Sequence, residues 1–348
     1  MLAYKGEELW QRYKQAINHR FKIDFSPMEE RKKFLGANFH LDRENGICLI
    51  DQENLIDKML ADFGMTDCND NVATPFVWPL PCDKDLPDQM TSEEKSFDMY
   101  KALGYLNYLQ CGVKPEISCA LKRLSRYATH YGEAHIKLAK HLMRWCKRSK
   151  KTPLVLKACK DPDIQIFTDA SHASCPDTRR SITGVVVKVG GNTVFWKCLN
   201  QTLVSHSSTE SELIALDKGA TVGVYIRWLL EAMLGKPHVI ITAFIDNESA
   251  MTLASNPVHP DRNLHIHARY FYIRDLVEGK HYILRHAPSK EMIADILCTF
   301  KSPSNFAWLY ALLLNNARYE QIGDTHKFQW KFGGGRCNNI TSKGGDKI

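Results

Sequence analysis

The stretch IQIFTDASHASCPDTRRSITGVVVKVGGNTVFWKCL, residues 164–199, decides the fold. Its runs IQIFTD, SITGVVVKV and TVFWKCL are rich in β-branched and aromatic side chains. They are separated by a polar turn and by the Gly190-Gly191 pair, so together they spell a three-stranded antiparallel meander. Toward the C-terminus the pattern continues as a helix from about Ser208 to Leu234 and a strand HVIITAFID. Helices over Asn247 to Ser255 and around His265 to Glu278, a strand HYILRH and a helix from Ser289 complete it. The order β-β-β-α-β-α-α-β-α predicts an α/β unit, a mixed five-stranded sheet flanked by helices.

Upstream the pattern is different. Leu9, Trp10, Tyr13, Ile17 and Phe21 recur at helical spacing between Glu7 and Phe25. KFLGANFHL and ICLI read as short strands broken at Gly46, and Gln52 to Phe63 is an amphipathic helix. Thr74 to Asp88 holds Pro75, Pro79, Pro81 and Pro87 and reads as a linker, because proline cannot sit in a helix interior. Two helices are expected after it, over Phe97 to Cys111 and Ile117 to Lys150. Nine Lys or Arg and no acid lie between Lys137 and Lys160. This is either a solvated helix face or a surface that tracks phosphates, with Lys140, Arg144 and Lys147 as its contacts. The last stretch, with Gly333 to Gly335, lacks periodicity and is expected to fray.

At 348 residues the chain has room for two or three domains with their own cores and needs no disulfide staples. Lys and Arg number 46 against 39 Asp and Glu, and the resulting +7 fits a polyanionic partner as well as it fits plain solubility. Eleven cysteines are scattered with no C-x-x-C pair. They point to reduced thiols in a cytoplasmic or nuclear setting, against a secreted disulfide scaffold and against a zinc ribbon. No window approaches the roughly 18 consecutive apolar residues of a membrane span, so a soluble chain with no membrane partner is expected.

The residues that carry chemistry are carboxylates. Asp169 ends IQIFTD, Asp246 ends HVIITAFID, Glu212 stands near a helix start in SSTESELIAL, and Asp295 lies early in the expected helix of KEMIADIL. Taken singly, each reads as a cap or turn residue. Four anions converging at one sheet edge are tolerable only with cations among them, and oxygen donors select hard divalent ions. Two such ions about 4 Å apart can clamp a scissile phosphodiester, one activating water and the other stabilising the leaving oxygen.

The motifs TDASHASCPDTRRSITG, VSHSSTESELIAL, FIDNESAMTLASNPVHPDRNLHIHARYFYIRDLVEG and APSKEMIADIL stand in a family's order and spacing. The chain resembles the ribonuclease H region of the Pol polyproteins of copia-type LTR retrotransposons. RFKIDF, FLGANFHL, TPF and YKALGYLNYLQCGVKPEISCALKRLSRYATHYGEAHIKLAKHLMRWCK resemble the reverse transcriptase tail and the connection just upstream of it. The resemblance covers roughly residues 1–300. It implies a reverse transcriptase remnant over 1–78, a helical, basic connection over 79–160, a ribonuclease H-like domain over 161–300 and a tail over 301–348. MLAYKGEEL matches the segment that follows the family's Tyr-x-Asp-Asp motif, so the polymerase site is expected to be missing.

By the same resemblance Asp169, Glu212, Asp246 and Asp295 are the catalytic, metal-binding carboxylates, and two Mg²⁺, with Mn²⁺ as substitute, are the cofactor. The implied reaction is hydrolysis of the RNA strand of an RNA:DNA hybrid, recognised by duplex shape and 2′-hydroxyls. The implied protein partner is the upstream reverse transcriptase segment of the same polyprotein. Glu210 and Glu212, two apart on a helix, face different ways. The ELIAL register favours Glu212 as the ligand, with Ser208 or Thr209 as helix cap and Glu210 as a surface acid. Arg179 and Arg180 either hold the substrate backbone with their guanidinium forks or belong to a plain solvated turn. His286 is either a mobile histidine that assists product release or proton transfer, or a histidine that ends a strand. No metal is assigned to His259, Asp261, His265 and His267. The chain departs from the family with DASHAS for Asp-Ala-Asp-Trp-Ala-Gly, VKPEI for Thr-Arg-Pro-Asp-Ile and ADILCT for Ala-Asp-Ile-Leu-Thr-Lys. These departures open a second reading, an inactive nucleic-acid-binding or structural remnant of a decayed element.

Overall fold

The structure is a computed structural model and describes residues 7–21, 33–160, 162–235, 239–255, 267–315, 320–322 and 325–327. In chain order its elements begin with α1 (Glu7–Arg20), β1 (Lys33–Phe34), β2 (Ala37–Asp42), β3 (Ile47–Asp51), α2 (Glu53–Asp62), α3 (Ser92–Ser96), α4 (Met99–Gly112), α5 (Ser118–Leu124), α6 (Glu133–Arg148) and β4 (Leu154–Lys157). They continue with β5 (Ile164–Ser171), β6 (Ile182–Val189), β7 (Asn192–Asn200), α7 (Ser208–Leu234), β8 (Ile241–Ile245), α8 (Glu248–Ser255), α9 (His267–Glu278), β9 (Tyr282–His286) and α10 (Pro303–Leu313). A short antiparallel pair, β10 (Glu320–Ile322) and β11 (Thr325–Lys327), follows.

The expected mixed sheet is present, with strand order β7-β6-β5-β8-β9. The meander β5–β6–β7 is antiparallel, and β8 and β9 add in parallel to β5. This is the ribonuclease H-like class the sequence implied. Strand β6 is buried along nearly its whole length. Val185 and Val187 join Ile164, Ile166, Ile241 and Ala243 in a core closed by Leu213, Leu216 and Ala220 of α7 and Ile273 of α9. Ile182 and Val186, pointing the other way, join a second core with α2, α4, α5, α6 and α10. A strand covered on both faces has no solvent side to carry polar residues, which is why Val185–Val187 is a continuous apolar run.

The second core crosses the boundaries expected at residues 78 and 300. It contains Ile56 and Met59 of α2, Leu138 and Trp145 of α6, and Phe306 and Tyr310 of α10. A separate sheet, β1-β2-β3-β4, ties residues 33–51 to residues 154–157, a strand the sequence had left inside the basic run. The expected tail therefore begins as a core helix. Its C-terminal carbonyls are satisfied by the sheet, since Lys188 Nζ donates to Leu312 O at 2.8 Å and Thr193 Oγ1 to Leu313 O at 2.6 Å.

Three further expectations are corrected. The helix expected over Ile117 to Lys150 is two, because the chain turns at Ala128–Gly132. There Tyr131 OH donates to Phe97 O at 2.6 Å, and Gly132 lies where a Cβ would stand 2.6 Å from Asp85 O. The proline-bearing segment is packed and is no linker: Phe76 meets Phe300 edge-on at 4.6 Å and Phe306 at 5.7 Å, and Val77 and Leu80 lie on the same core. The helix expected from Ser289 is a 3-10 turn over Ile293–Leu297 followed by a fresh start at Pro303. Proline lacks the N–H that an interior position must donate, so it stands in the first turn of the new helix. Gly333 to Gly335 lie outside the described residues, as do His259, Asp261 and His265.

Candidate metal centre

Strands β5 and β8 run parallel in a register that pairs Phe167 with Phe244, so two residues further on Asp169 and Asp246 leave neighbouring strands side by side. Carboxyl ends of adjacent parallel strands are where α/β sheets open a binding crevice. Helix α7 packs on β5 and brings Glu212 down from its second turn. Single ligand oxygens of Asp169, Glu212 and Asp246 all lie within 4.8 Å of one another.

Each side chain is aimed by a neighbour. Glu212 Oε1 accepts the Ala170 backbone N–H at 3.1 Å, while its Oε2 is buried with no hydrogen-bond partner among the described residues. Ser289 Oγ donates to Asp246 Oδ2 at 3.3 Å. Across β6, Gly184 pairs with Asp169, and a Cβ on it would stand 2.5 Å from Cys298 Sγ and 2.6 Å from Ala294 O. Only a residue without a side chain lets the turn that carries Asp295 lie flat on the sheet beside Asp169. Cys298, in the altered ADILCT motif, seals this contact by donating its thiol to Asp169 O at 3.3 Å.

The electrostatics follow from the crowding. Burial, then the charges of Asp295 and Asp246, lifts Asp169 from the ordinary carboxylate range to about 7. Burial, then the charges of Asp169 and Asp246, pushes Glu212 up to about 9. Burial and the Asp295 charge raise Asp246 as well. A cation among these carboxylates would relieve their mutual repulsion and satisfy the orphaned Glu212 oxygen. Oxygen-only donors fit a hard divalent ion.

Asp295 is not among the three whose oxygens meet within 4.8 Å, although its charge acts on both Asp169 and Asp246. It is buried in the 3-10 turn, and its Oδ2 is ion-paired with Lys301 Nζ. The cap of α7 also differs from expectation: Ser207 caps it, accepting from Glu210 N at 3.1 Å. Glu210 is buried, and its Oε2 accepts the N–H of His206 at 2.6 Å, so it closes the helix start and is no surface acid. His286 ends β9 in register with Ile245 and is exposed, close enough for its charge to act on Asp246.

The β5–β6 loop presents Arg179 and Arg180, both exposed, with Arg179 in a left-handed backbone conformation. The loop is braced from the first half of the chain. Arg123 Nη1 donates to Ser174 O at 3.1 Å, Arg126 Nη1 pairs with Asp177 at 2.7 Å, and Tyr127 OH donates to Asp177 at 3.1 Å. The basic helix α6 is more occupied than its composition implied. Lys147 Nζ donates to Thr66 O at 2.7 Å and Cys68 O at 2.6 Å, so two of its three donors are already engaged. Lys140 stands over the Phe97 ring, Arg144 is half-buried, and α6 packs on α2, α4 and α5, none of which carries a site carboxylate.

The sheet order defines a ribonuclease H-like fold, and the acidic cluster at its parallel strand ends is a group that could hold a metal ion. The chain is similar to the retrovirus-related Pol polyproteins of copia-type transposons. It is 26% identical over 302 residues to that of transposon TNT 1-94 from Nicotiana tabacum, a match over 85% of this chain and 22% of that polyprotein. It is 29% identical over 198 residues to that of transposon RE1 from Arabidopsis thaliana, over 56% of this chain and 13% of that one. The chain thus spans about a fifth or less of the length of these relatives. No family model matches the chain. Among solved structures, LC11-RNase H1 in complex with RNA/DNA hybrid aligns with a TM-score of 0.30 at 14% identity, over 39% of this chain and 94% of that one. The RNase H1 of the archaeon Halobacterium salinarum NRC-1 aligns with the same TM-score, identity and coverage. Among the described residues, no helix is long and apolar enough to cross a membrane.

Gly184, Ser289, Lys301 and the Arg123–Arg126–Asp177 brace were not found from the sequence. Lys301 carries no motif, and Arg123 and Arg126 each lie 51 residues from the loop residue they hold, so nothing short of the folded chain joins them.

Proposed function

We propose that this chain is the ribonuclease H portion of a copia-type Pol polypeptide and hydrolyses the RNA strand of RNA:DNA hybrids with the help of two divalent ions, Mg²⁺ or Mn²⁺. The observation that carries the reading is the convergence of Asp169, Glu212 and Asp246 within 4.8 Å around a buried, unpartnered Glu212 oxygen. Those three residues hold the first ion, and Asp295 completes the set. Bound there, the ions supply Lewis-acid activation of water and neutralise charge on the leaving oxygen. The chain's own part is positioning: the Ala170 N–H fixes Glu212, Ser289 fixes Asp246, and Gly184 lets the Asp295 turn reach the edge. Arg179 and Arg180, on a loop braced by Arg126, take the phosphate backbone of the hybrid, and His286 beside Asp246 is placed to accept or deliver a proton. The upstream reverse transcriptase segment of the polyprotein is the natural partner in this reading.

The reading is tested by incubating the purified chain with a labelled RNA:DNA hybrid in Mg²⁺, beside Asp246→Asn, an EDTA control and a double-stranded DNA control. Cleavage of the RNA strand by the wild type alone is expected. A folded chain that binds the hybrid and leaves it intact would defeat the hydrolase reading. It would favour the inactive hybrid-binding remnant, whose support is the ammonium already seated on Asp295.

A further inference from the structure

Lys301 is placed by two parts of the chain. On one side, the preceding Phe300 is clamped by Phe76 at 4.6 Å and Trp78 at 6.1 Å, with the Arg123 guanidinium over its ring at 5.7 Å. On the other, Ser302 and Pro303 open α10, whose Phe306 and Tyr310 are core residues. The Lys301 side chain is 21% exposed and that of Asp295 is 9% exposed, so the pair is sheltered from solvent screening to a degree that ordinary surface ion pairs are not. Three site carboxylates close on one another, and the fourth is matched with a cation belonging to the chain.

We infer that Lys301 is an internal counter-cation that holds the place of a second divalent ion at Asp295, so the resting chain takes one ion at Asp169, Glu212 and Asp246, and a second only when Lys301 is drawn away. The inference rests on the proposed reading of the carboxylates as a metal site and adds the order in which that site fills. The chemistry of the groups supports it. A lysine ammonium is a compact point charge on a flexible four-carbon stem, able to leave one anion for another. Phe300 and α10 fix its backbone and leave the side chain as the movable part. The backbone phosphate of a bound hybrid is an anion of the kind that would take Lys301, so substrate binding and completion of the metal set become coupled. Phe76 and Trp78 belong to the proline-bearing segment and Arg123 to α5, so the first half of the chain reaches the metal centre through Phe300.

The test uses the full chain and counts ions without relying on turnover. Bound Mn²⁺ is measured by electron paramagnetic resonance and Mg²⁺ by titration calorimetry for the wild type, Lys301→Met, Lys301→Arg and Asp295→Asn. Methionine keeps the unbranched apolar stem and removes the charge, and a thermal melt of each variant verifies folding. The expected result is one ion bound by the wild type at concentrations where Lys301→Met binds two, the second site tightening by roughly tenfold or more once the competing charge is gone. Lys301→Arg should behave as the wild type and Asp295→Asn should bind one ion. Equal stoichiometry and affinity in the wild type and Lys301→Met would overturn the inference while leaving the metal site itself intact. A wild type that binds no divalent ion would instead defeat the proposed function. If Lys301→Met does not fold, Lys301→Gln serves in its place under the same criteria.

Discussion

Replacing Asp169 by Asn should stabilise the metal-free chain at pH 8 and reverse that ranking once Mg²⁺ is added. Burial and the neighbouring carboxylates lift Asp169 from 3.8 to about 7, so between those values the folded chain holds a proton that the unfolded chain has released. The unfolded state then binds fewer protons, and stability falls as pH rises from about 4 to about 7. At about 1.4 kcal/mol per pH unit, the ionised group costs up to about 4 kcal/mol above pH 7. Part of this is shared with Glu212 and Asp246, whose own ionisation becomes easier when Asp169 is neutral. A gain of about 2 kcal/mol for Asp169→Asn at pH 8 is therefore the working figure, shrinking toward zero near pH 4. On a chain of 348 residues that is a rise of about 3 °C in Tm. The assay is thermal and urea unfolding of both proteins at pH 8 and pH 5 in EDTA, repeated with Mg²⁺. Ligand binding to the native state should then raise the wild type by several degrees and the variant much less. A variant less stable than the wild type in EDTA at pH 8, or equal Mg²⁺ responses, would refute the reasoning.

Other substitutions separate the roles of neighbouring residues. Glu212→Gln should abolish the Mg²⁺-dependent rise in Tm. Glu210→Ala should cost about 1 kcal/mol through the lost helix closure and leave the Mg²⁺ response in place, both read by the same melts. Gly184→Ala should destabilise by about 1–3 kcal/mol in urea unfolding, because its methyl group must displace Cys298 or the Ala294 carbonyl and lift the Asp295 turn. The double variant Arg179→Ala, Arg180→Ala should weaken hybrid binding evenly across sequences and reduce the slope of log Kd against log salt by about 1–2 in fluorescence anisotropy. An unchanged slope would remove this loop from the substrate track.

What could be read in the sequence follows the range of the forces involved. The meander was visible because β-branched runs and glycine turns act within a few residues, and α7 was bounded correctly at Ser208 and Leu234. The same local reading misplaced the 3-10 turn of Asp295, since an acidic residue among apolar ones looks helical until the sheet beneath it is known. It placed the cap one or two residues late, at Ser208 or Thr209 in place of Ser207. Prolines suggest a linker because a rule about backbone N–H groups says nothing of where Phe76 goes. The basic run looks like available charge in the sequence, yet the carbonyls of Thr66 and Cys68 engage Lys147 and Asp57 pairs with Lys150.

The sequence alone determined the order of the five strands of the mixed sheet and placed four acids at expected strand ends and helix starts. The first rests on side-chain periodicity, and the grouping of the acids rests on the resemblance of the motifs that carry them. Tertiary structure decided which acids meet. Asp169, Glu212 and Asp246 close together because two parallel strands share a register and a helix crosses them, while Asp295 is held by Lys301. It also decided that β6 is covered on both faces, that the Asp295 turn lies against Gly184 and that Phe76 and Arg123 secure Phe300. Each of these is a contact between segments remote in the chain. Such contacts are settled by the space left when two cores pack against one sheet, and no window of neighbouring residues contains that information.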